Sequence, residues 1–207
     1  MQKIVEINGS NLTIEDVVAV ARFGAKVKLD EKQKDKILES RKYVEDALFN
    51  KIPIYGINTG FGKFENVPIS EKELELLQKN LIYSDACGVG EAFDTEVVRA
   101  MMLLKANAIS KGFSGVMIET IECLLNMLNA GVHPIVRSKG SVGSSGDLCP
   151  LAHMVLPMMG EGEAEYNGEI LPGKEAMKRA GISTITLKAK EGLALINGTQ
   201  AMMGNAV

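Results

Sequence analysis

The chain has 207 residues and a formal net charge of −3, with 46% hydrophobic and 24% charged residues, as is typical of a globular protein. It has no basic stripe and no long run of one charge, which argues against nucleic acid and anionic membranes as partners. No apolar stretch reaches the ~20 residues of a membrane span, and no apolar targeting core opens the chain. The three cysteines include no CxxC pair and suggest neither a disulfide framework nor a zinc site. A cytoplasmic location is therefore expected.

The first fifty residues alternate short strands with amphipathic helices. Residues 3–7 (KIVEI) and 26–29 (KVKL) alternate in polarity and predict strands. Thr13 is the predicted N-cap of a first helix. Asp30 is the predicted N-cap of a long helix that continues to about Phe49.

The middle of the chain predicts a loop and then a series of helices. Residues 51–69 lack periodicity, and SEKE at 70–73 predicts a capping box that opens the next helix. Asp94 is the predicted N-cap of another helix, with Gly112 as its predicted stop signal, and a further helix is expected to stop at Gly131.

The remainder of the chain begins with a glycine–serine stretch and an apolar run. Pro157 should end or kink the helix predicted in that run. Asn167 and Gly168 form the preferred two-residue turn of a β-hairpin. The last fifteen residues are apolar and lack a helix stop signal, so we expect more chain or another subunit to cover this end.

These patterns predict a mainly α protein with two parts. Residues 1–112 form a mixed α/β region that includes the 51–69 loop. Residues 113–207 form a mainly helical region that includes the glycine–serine stretch and the hairpin.

The stretch at residues 140–153 reads GSVGSSGDLCPLAH and has two interpretations. One is a flexible turn with a helix cap. The other is chemical: glycines permit the sharp bend in which the Gly146 nitrogen attacks the Ser144 carbonyl carbon. Loss of water from Ser145 would then leave an exocyclic methylene on a five-membered ring. Such a ring is a strong electrophile, placed at the positive end of the following helix.

This stretch closely resembles the signature of the aromatic amino-acid ammonia-lyases, above all the histidine-specific branch. That family forms its methylidene-imidazolone (MIO) group from a tripeptide that is usually Ala-Ser-Gly. Here the tripeptide is Ser144-Ser145-Gly146. Ser144 would give only its carbonyl and backbone to the ring, so this departure is mild.

Three further segments extend the resemblance over the whole chain. YGINTGFGKF at 55–64 resembles the family's catalytic tyrosine loop. LLQKNLIYSDACGVGE at 76–91 resembles its substrate-pocket segment. EGLALINGTQ at 191–200 resembles the segment whose asparagine supports the prosthetic group.

The resemblance implies a role for each matching residue. Tyr55 would be the base that takes a proton from the substrate Cβ, which requires a lowered tyrosine pKa. Asn197 would hydrogen-bond the ring oxygen or the substrate carboxylate. Asp85 and Gly62 would bind substrate, and neither a metal nor a diffusible cofactor is needed. His153, on the helix after the tripeptide, is interpreted as a core residue.

Asp85 departs from the family pattern. The matching segment of histidine ammonia-lyases normally reads Ser-His-Ala, whereas this chain has Ser84-Asp85-Ala86. A carboxylate can pair with imidazolium or accept a hydrogen bond from imidazole. It suits the bare ring of phenylalanine poorly, because an unpaired carboxylate is costly to desolvate. Histidine is therefore the expected substrate.

The implied reaction is elimination of ammonia from L-histidine to give urocanate. The methylene derived from Ser145 would take up the substrate amine, and Tyr55 would remove the β-proton. The resemblance also implies a homotetramer and a truncated ammonia-lyase/fumarase-like helical bundle, because family chains are more than twice this long. By itself the 207-residue chain is expected to show no turnover. Two alternatives stay open: another MIO-type lyase or aminomutase, and a non-catalytic truncated homologue.

Overall fold

The protein is described by a computed structural model, which covers residues 3–65 and 67–207. Within these ranges the chain forms nine α-helices, seven short strands and two 3-10 helices. The helices are α1 Ile14–Ala21, α2 Lys32–Phe49, α3 Glu71–Asp85, α4 Thr95–Ile109, α5 Ile118–Ala130, α6 Leu148–Val155, α7 Gly173–Arg179, α8 Glu191–Ile196 and α9 Gln200–Ala206. The strands are β1 Ile4–Ile7, β2 Lys26–Leu29, β3 Val89–Ala92, β4 Val132–Pro134, β5 Arg137–Lys139, β6 Glu163–Tyr166 and β7 Glu169–Pro172, and the 3-10 helices are Gly62–Phe64 and Leu156–Met159.

The strands form small separate sheets. β1 and β2, which precede and follow α1 in the sequence, pair in parallel. β3 pairs with β5, and β4, β6 and β7 form an antiparallel sheet. Asn167 and Gly168 both have positive φ, +53° and +81°, as a type I′ turn requires. The two N-terminal strands and the hairpin are therefore confirmed. The sequence analysis did not predict β3, β4 and β5.

The helix starts confirm some predicted caps and correct others. The Thr13 hydroxyl accepts from the Asp16 amide and the Asp16 carboxylate accepts from the Thr13 amide, which is a full capping box. The box predicted at 70–73 is wrong, because the Ser70 hydroxyl donates to the Glu73 carboxylate instead of accepting from a backbone amide. Asp94 occupies the N-cap position of α4 without a side-chain hydrogen bond to the helix.

The N-cap of α2 is also shifted from its prediction by one residue. Glu31 is the N-cap, and the Asp30 carboxylate accepts from the Lys32 amide at 3.0 Å. The other end of the helix lies at Phe49, as predicted. The predicted stop at Gly131 and the break at Pro157 are confirmed, since Gly131 is the left-handed C-cap of α5 and Pro157 lies in the first turn of a 3-10 helix.

The main hydrophobic core is built around α4. Met101, Met102 and Leu103 are consecutive and fully buried, so the middle of this helix lacks the single buried face of an amphipathic helix. α1, α5 and α9 pack against it. Each such side chain contributes about 1.5–3 kcal/mol when buried. The core draws on residues from both sides of position 112, and the division of the chain there stays a prediction.

A second, smaller core lies under the loop that precedes α3. Val44 of α2, Ile57 of the loop, Leu74 of α3 and Ala189 before α8 form this cluster. The loop is thus held between two helices and the segment that leads into α8. The predicted mainly α fold with a mixed α/β part is confirmed. Within residues 3–65 and 67–207, no helix combines the length and apolar character needed to cross a membrane.

Candidate active site

One cavity of about 530 Å³ gathers predicted residues from four distant parts of the chain. Tyr55, Asp85, Ser145 and Asn197 all line it. The other lining residues are mainly apolar: Phe61, Leu81, Phe113, Ser114, Leu148, Lys190, Leu193, Ala194 and Ile196. The cavity therefore places a phenol, a carboxylate, a serine and an amide around one space.

Tyr55 lies in the loop between α2 and α3, and about half of its surface is exposed. Its ring makes an edge-on contact with Phe61, with centroids 6.1 Å apart and planes at 82°. Gly56 follows with φ +75°, and a Cβ there would come within 2.5 Å of the Leu193 side chain. Glycine at 56 thus lets the tyrosine loop pack closely against α8.

Asn58 fixes the conformation of this loop by local hydrogen bonds. Its side-chain oxygen accepts from the Ile54 amide at 2.9 Å, and its side-chain nitrogen donates to the Ile52 carbonyl at 2.9 Å. These bonds replace regular secondary structure, because they satisfy backbone groups that a loop would otherwise leave unpaired. Tyr55 lies between the bonded residues and is held in place with them.

The tripeptide Ser144-Ser145-Gly146 lies at the start of α6 in an unusual backbone conformation. Ser145 has φ +61° and Gly146 has φ +105°. Residues other than glycine seldom adopt such positive φ values. The Asn197 side-chain nitrogen donates to the Ser145 carbonyl oxygen at 3.1 Å and lies 3.4 Å from the Ser145 hydroxyl oxygen. The asparagine therefore contacts the central residue of the tripeptide directly.

Close backbone packing joins the tripeptide to the turn after α8. A Cβ at Gly146 would come within 2.3 Å of the Gly198 carbonyl oxygen. The Asp147 amide donates to that same oxygen at 2.7 Å. The Asp147 carboxylate accepts from the Met202 amide in the first turn of α9 at 2.8 Å. Asp147 occupies the N-cap position of α6 but makes no side-chain hydrogen bond to that helix, so the structure gives no support from this residue to the helix-cap interpretation of the stretch.

Asp85 is the last residue of α3, and burial raises the pKa of its carboxyl. The segment after it is held by His153 of α6, whose Nε2 accepts a hydrogen bond from the Gly88 amide at 2.9 Å. This bond requires Nε2 to be unprotonated. His153 is half-buried, and burial lowers its pKa, with nearby Arg137 acting in the same direction. His153 therefore ties the Asp85 segment to α6 rather than only filling the core.

Acid is expected to weaken this attachment. Because the pKa of His153 is lower folded than unfolded, the unfolded chain binds more protons as the pH falls below ~6.5, and stability decreases. His133 has a pKa lowered by burial as well and contributes in the same direction. We predict that the urea midpoint of the natural protein is lower at about pH 5.5 than at about pH 7.5. In His153→Gln, the difference between the two midpoints should be smaller. Equal pH differences in the two proteins would contradict the assignment, and His133 is the common background in both.

Three predicted residues, Gly62, Ser144 and Gly146, do not line the cavity. Gly62 begins the 3-10 helix of the tyrosine loop, with φ +56° and an exposed surface. Ser144 is exposed at the edge of the tripeptide loop. Gly146 is partly buried against Gly198 and contributes backbone only. The predicted role of Gly62 in substrate binding stays a prediction.

Lys190 is a lining residue that the sequence analysis missed. It is the N-cap of α8 with a strained φ of +78°, and burial lowers the pKa of its ammonium. Among the residues described, its side chain has neither a hydrogen bond nor an ion pair. A larger cavity of about 1010 Å³ beside α2 shares Lys190, Phe113 and Ser114 with the first but contains none of the predicted residues. The sequence signal that could have identified Lys190 is its position directly before the EGLALINGTQ segment.

The arrangement combines a strained serine–glycine backbone, a hydrogen-bond donor, a phenol and charges of both signs. An anionic group can bind near Lys190, and a cationic or hydrogen-bond-donating group near Asp85. Within residues 3–65 and 67–207, no three His, Cys, Asp or Glu side chains are grouped so as to hold a metal ion.

Comparison with known proteins gives consistent matches over nearly the whole chain. A family model described as aromatic amino acid lyase matches residues 12–207. The chain is 93% identical over 207 residues to histidine ammonia-lyase 2 of Fusobacterium nucleatum subsp. nucleatum, covering 100% of this chain and 40% of that protein. The chain therefore spans about two fifths of the length of the curated relatives that it matches.

Solved structures show the same fold. The ergothioneine-degrading enzyme ergothionase of Treponema denticola matches with a TM-score of 0.94 and 30% identity, over 98% of this chain and 41% of that one. Histidine ammonia-lyase of Trypanosoma cruzi matches with a TM-score of 0.90 and 36% identity, over 97% and 39%. The resemblance inferred from the motifs is confirmed, and the chain belongs to the aromatic amino acid lyase family.

Proposed function

We propose that these residues form part of an ammonia-lyase that converts L-histidine to urocanate, with an electrophilic MIO ring formed from Ser144-Ser145-Gly146. The observation that carries this proposal is the hydrogen bond from the Asn197 amide to the Ser145 carbonyl oxygen. That oxygen becomes the exocyclic oxygen of the proposed ring, where negative charge would develop. The names of the curated relatives support histidine as the substrate.

The residues present fit such a ring. Cyclisation joins the Gly146 nitrogen to the Ser144 carbonyl carbon and expels that carbonyl oxygen as water, and a second water leaves with the Ser145 hydroxyl. The positive φ values at Ser145 and Gly146 already bend the backbone away from extended geometry. The space beside Gly146 is filled by Gly198, so a side chain at 146 would be excluded. The Asn197 amide donor, the bent backbone at Ser145 and Gly146, and the lack of a side chain at Gly146 are all compatible with ring closure.

The side chains of the cavity have complementary tasks. When formed, the ring supplies an electrophile that makes the substrate amine a better leaving group. Tyr55 Oη takes the proton from the substrate Cβ. Asp85 accepts a hydrogen bond from the imidazole, and Lys190 pairs with the α-carboxylate.

Intact mass and product analysis test the proposal together. The natural protein should be lighter than its sequence by two waters, with the loss located at residues 144–146 by peptide mapping, and it should produce urocanate from histidine. An unmodified tripeptide without lyase activity would contradict the proposal and favour a non-catalytic homologue. A β-amino acid product would identify an aminomutase instead. The isolated 207-residue chain is expected to give no urocanate, since the resemblance implies that an active enzyme is a homotetramer of chains more than twice this long.

Replacement of Asp85 tests the choice of substrate. Asp85→Asn should lower kcat/KM for histidine by about 10- to 100-fold, because a hydrogen bond to a charged group contributes about 1.5–3 kcal/mol. Activity on phenylalanine should not fall. Asp85→His should retain histidine activity, because imidazole also offers hydrogen-bonding nitrogens.

The matched control is Asp94→Asn, an exposed carboxylate without a side-chain hydrogen bond to its helix. This control should behave like the natural protein. If Asp85→Asn leaves kcat/KM for histidine unchanged, Asp85 does not bind the imidazole and another aromatic amino acid becomes the better candidate substrate.

A further inference from the structure

Lys105 is a buried cation that the proposed chemistry does not use. It lies in the middle of α4 within the apolar run AMMLLKANAI, and its surface is only 1% exposed. A buried ammonium is costly unless polar groups surround it. No carboxylate of the described residues forms an ion pair with it. Asp147 interacts with it only as a nearby charge.

The partners of Lys105 are two backbone carbonyls at the end of α8. Its Nζ donates to the Asn197 oxygen at 3.0 Å and to the Ala194 oxygen at 3.3 Å. α8 ends at Ile196, and carbonyls at the end of a helix have no partners within that helix. A cation there is favoured by the helix dipole. Because α8 has only six residues, an external partner contributes a large part of its stability.

Asn197 connects this lysine to the tripeptide. Its backbone oxygen is held by Lys105, and its side-chain nitrogen donates to the Ser145 carbonyl oxygen. The next residue, Gly198, is held through its own oxygen by the Asp147 amide. Two backbone hydrogen bonds, at residues 197 and 198, therefore hold the turn that carries the Asn197 side chain.

We propose that Lys105 is a positioning residue that fixes the Asn197 amide on the Ser145 carbonyl oxygen and thereby promotes closure and use of the ring. This inference rests on the proposed function. Burial lowers the pKa of Lys105 to about 8. A neutral amine still carries two N–H donors for the two carbonyls, so the anchoring survives the loss of the proton.

The test compares Lys105→Met with Lys105→Arg in the full chain. Lys105→Met should lower ring content, measured by intact mass at a fixed time after synthesis. It should also lower kcat per ring by about 10- to 100-fold, with KM changed by less than about threefold. Lys105→Arg keeps donors and charge and should restore most of both. Hydrogen–deuterium exchange of the peptide 191–200 gives a readout that needs neither ring nor activity, and it should be faster in Lys105→Met.

Arg99→Met is the matched control. Arg99 is a second buried cation on α4, and its guanidinium donates to the Val20 and Leu128 carbonyls, which do not belong to the site. Its loss should lower the melting temperature without reducing ring content or accelerating exchange in 191–200. Equal ring loss in the two Met variants would overturn the proposal, as would unchanged ring content and kcat in Lys105→Met.

The proposed function can fail separately from this inference. A natural protein without the loss of two waters and without urocanate production would refute the function. The anchoring by Lys105 would then be judged by exchange alone. Equal exchange of 191–200 in the natural protein and Lys105→Met would refute it, and faster exchange in Lys105→Met than in Arg99→Met would support it.

Discussion

Ser145→Ala is expected to abolish the electrophile and to reduce turnover of histidine by at least about a thousand-fold. Alanine has no hydroxyl to lose, so the exocyclic methylene cannot form even if the backbone closes. The mass of the variant should lack the loss of two waters, which peptide mapping at 144–146 would show. The fold should survive, because Ser145 is exposed and its side chain lies on the cavity wall.

Ser141→Ala controls for loop chemistry in general. Ser141 lies in the same loop, and its hydroxyl accepts only a local hydrogen bond from the Gly143 amide at 3.3 Å. This variant should keep the full loss of water and nearly full activity. If Ser145→Ala retains turnover within a few-fold of the natural protein, the tripeptide is not the source of the electrophile.

Tyr55→Phe is expected to reduce kcat by about 100- to 10,000-fold, as removal of a general base does. The ring of phenylalanine keeps the edge-on contact with Phe61, so the loop should hold its shape and KM should change little. Ring content should stay unchanged, because the Tyr55 hydroxyl makes no hydrogen bond to residues 144–146. The effect therefore separates proton transfer from ring formation.

Tyr43→Phe is the control for the loss of a phenol elsewhere. Tyr43 is exposed on α2 and lines the larger cavity, which contains none of the predicted site residues. Its variant should match the natural protein in kcat and KM. A kcat for Tyr55→Phe within a few-fold of the natural value would remove Tyr55 from the role of base and would direct attention to another group at the cavity.

Local patterns predicted the helices well because their signals are local. The Thr13 cap, the Gly131 stop and the Asn167–Gly168 turn depend on neighbours within a few residues. β3 could not be predicted in this way. All four of its residues are exposed, so it lacks the alternation of a half-buried strand. It pairs with a strand some fifty residues further along the chain.

The site shows the same division between local motif and distant support. Tyr55, Ser145 and Asn197 lie in motifs that can be recognised in the sequence. The residues that hold those motifs could not be assigned from it, since His153 is 65 residues from Gly88 and Lys105 is 92 residues from Asn197. A lysine inside an apolar helix was a visible anomaly, but only the fold shows which carbonyls it serves.

The bond between Asn197 and Ser145 spans 52 residues, and this separation orders events in time. During synthesis, residue 145 leaves the ribosome before residue 197, so the tripeptide is at first without its Asn197 hydrogen-bond donor. On the proposed function, the electrophile would mature only after long-range folding is complete. Misfolded or partly synthesised chains would then keep an unmodified serine at position 145, and the electrophile would form only in chains whose hydrogen-bond donor is already in place.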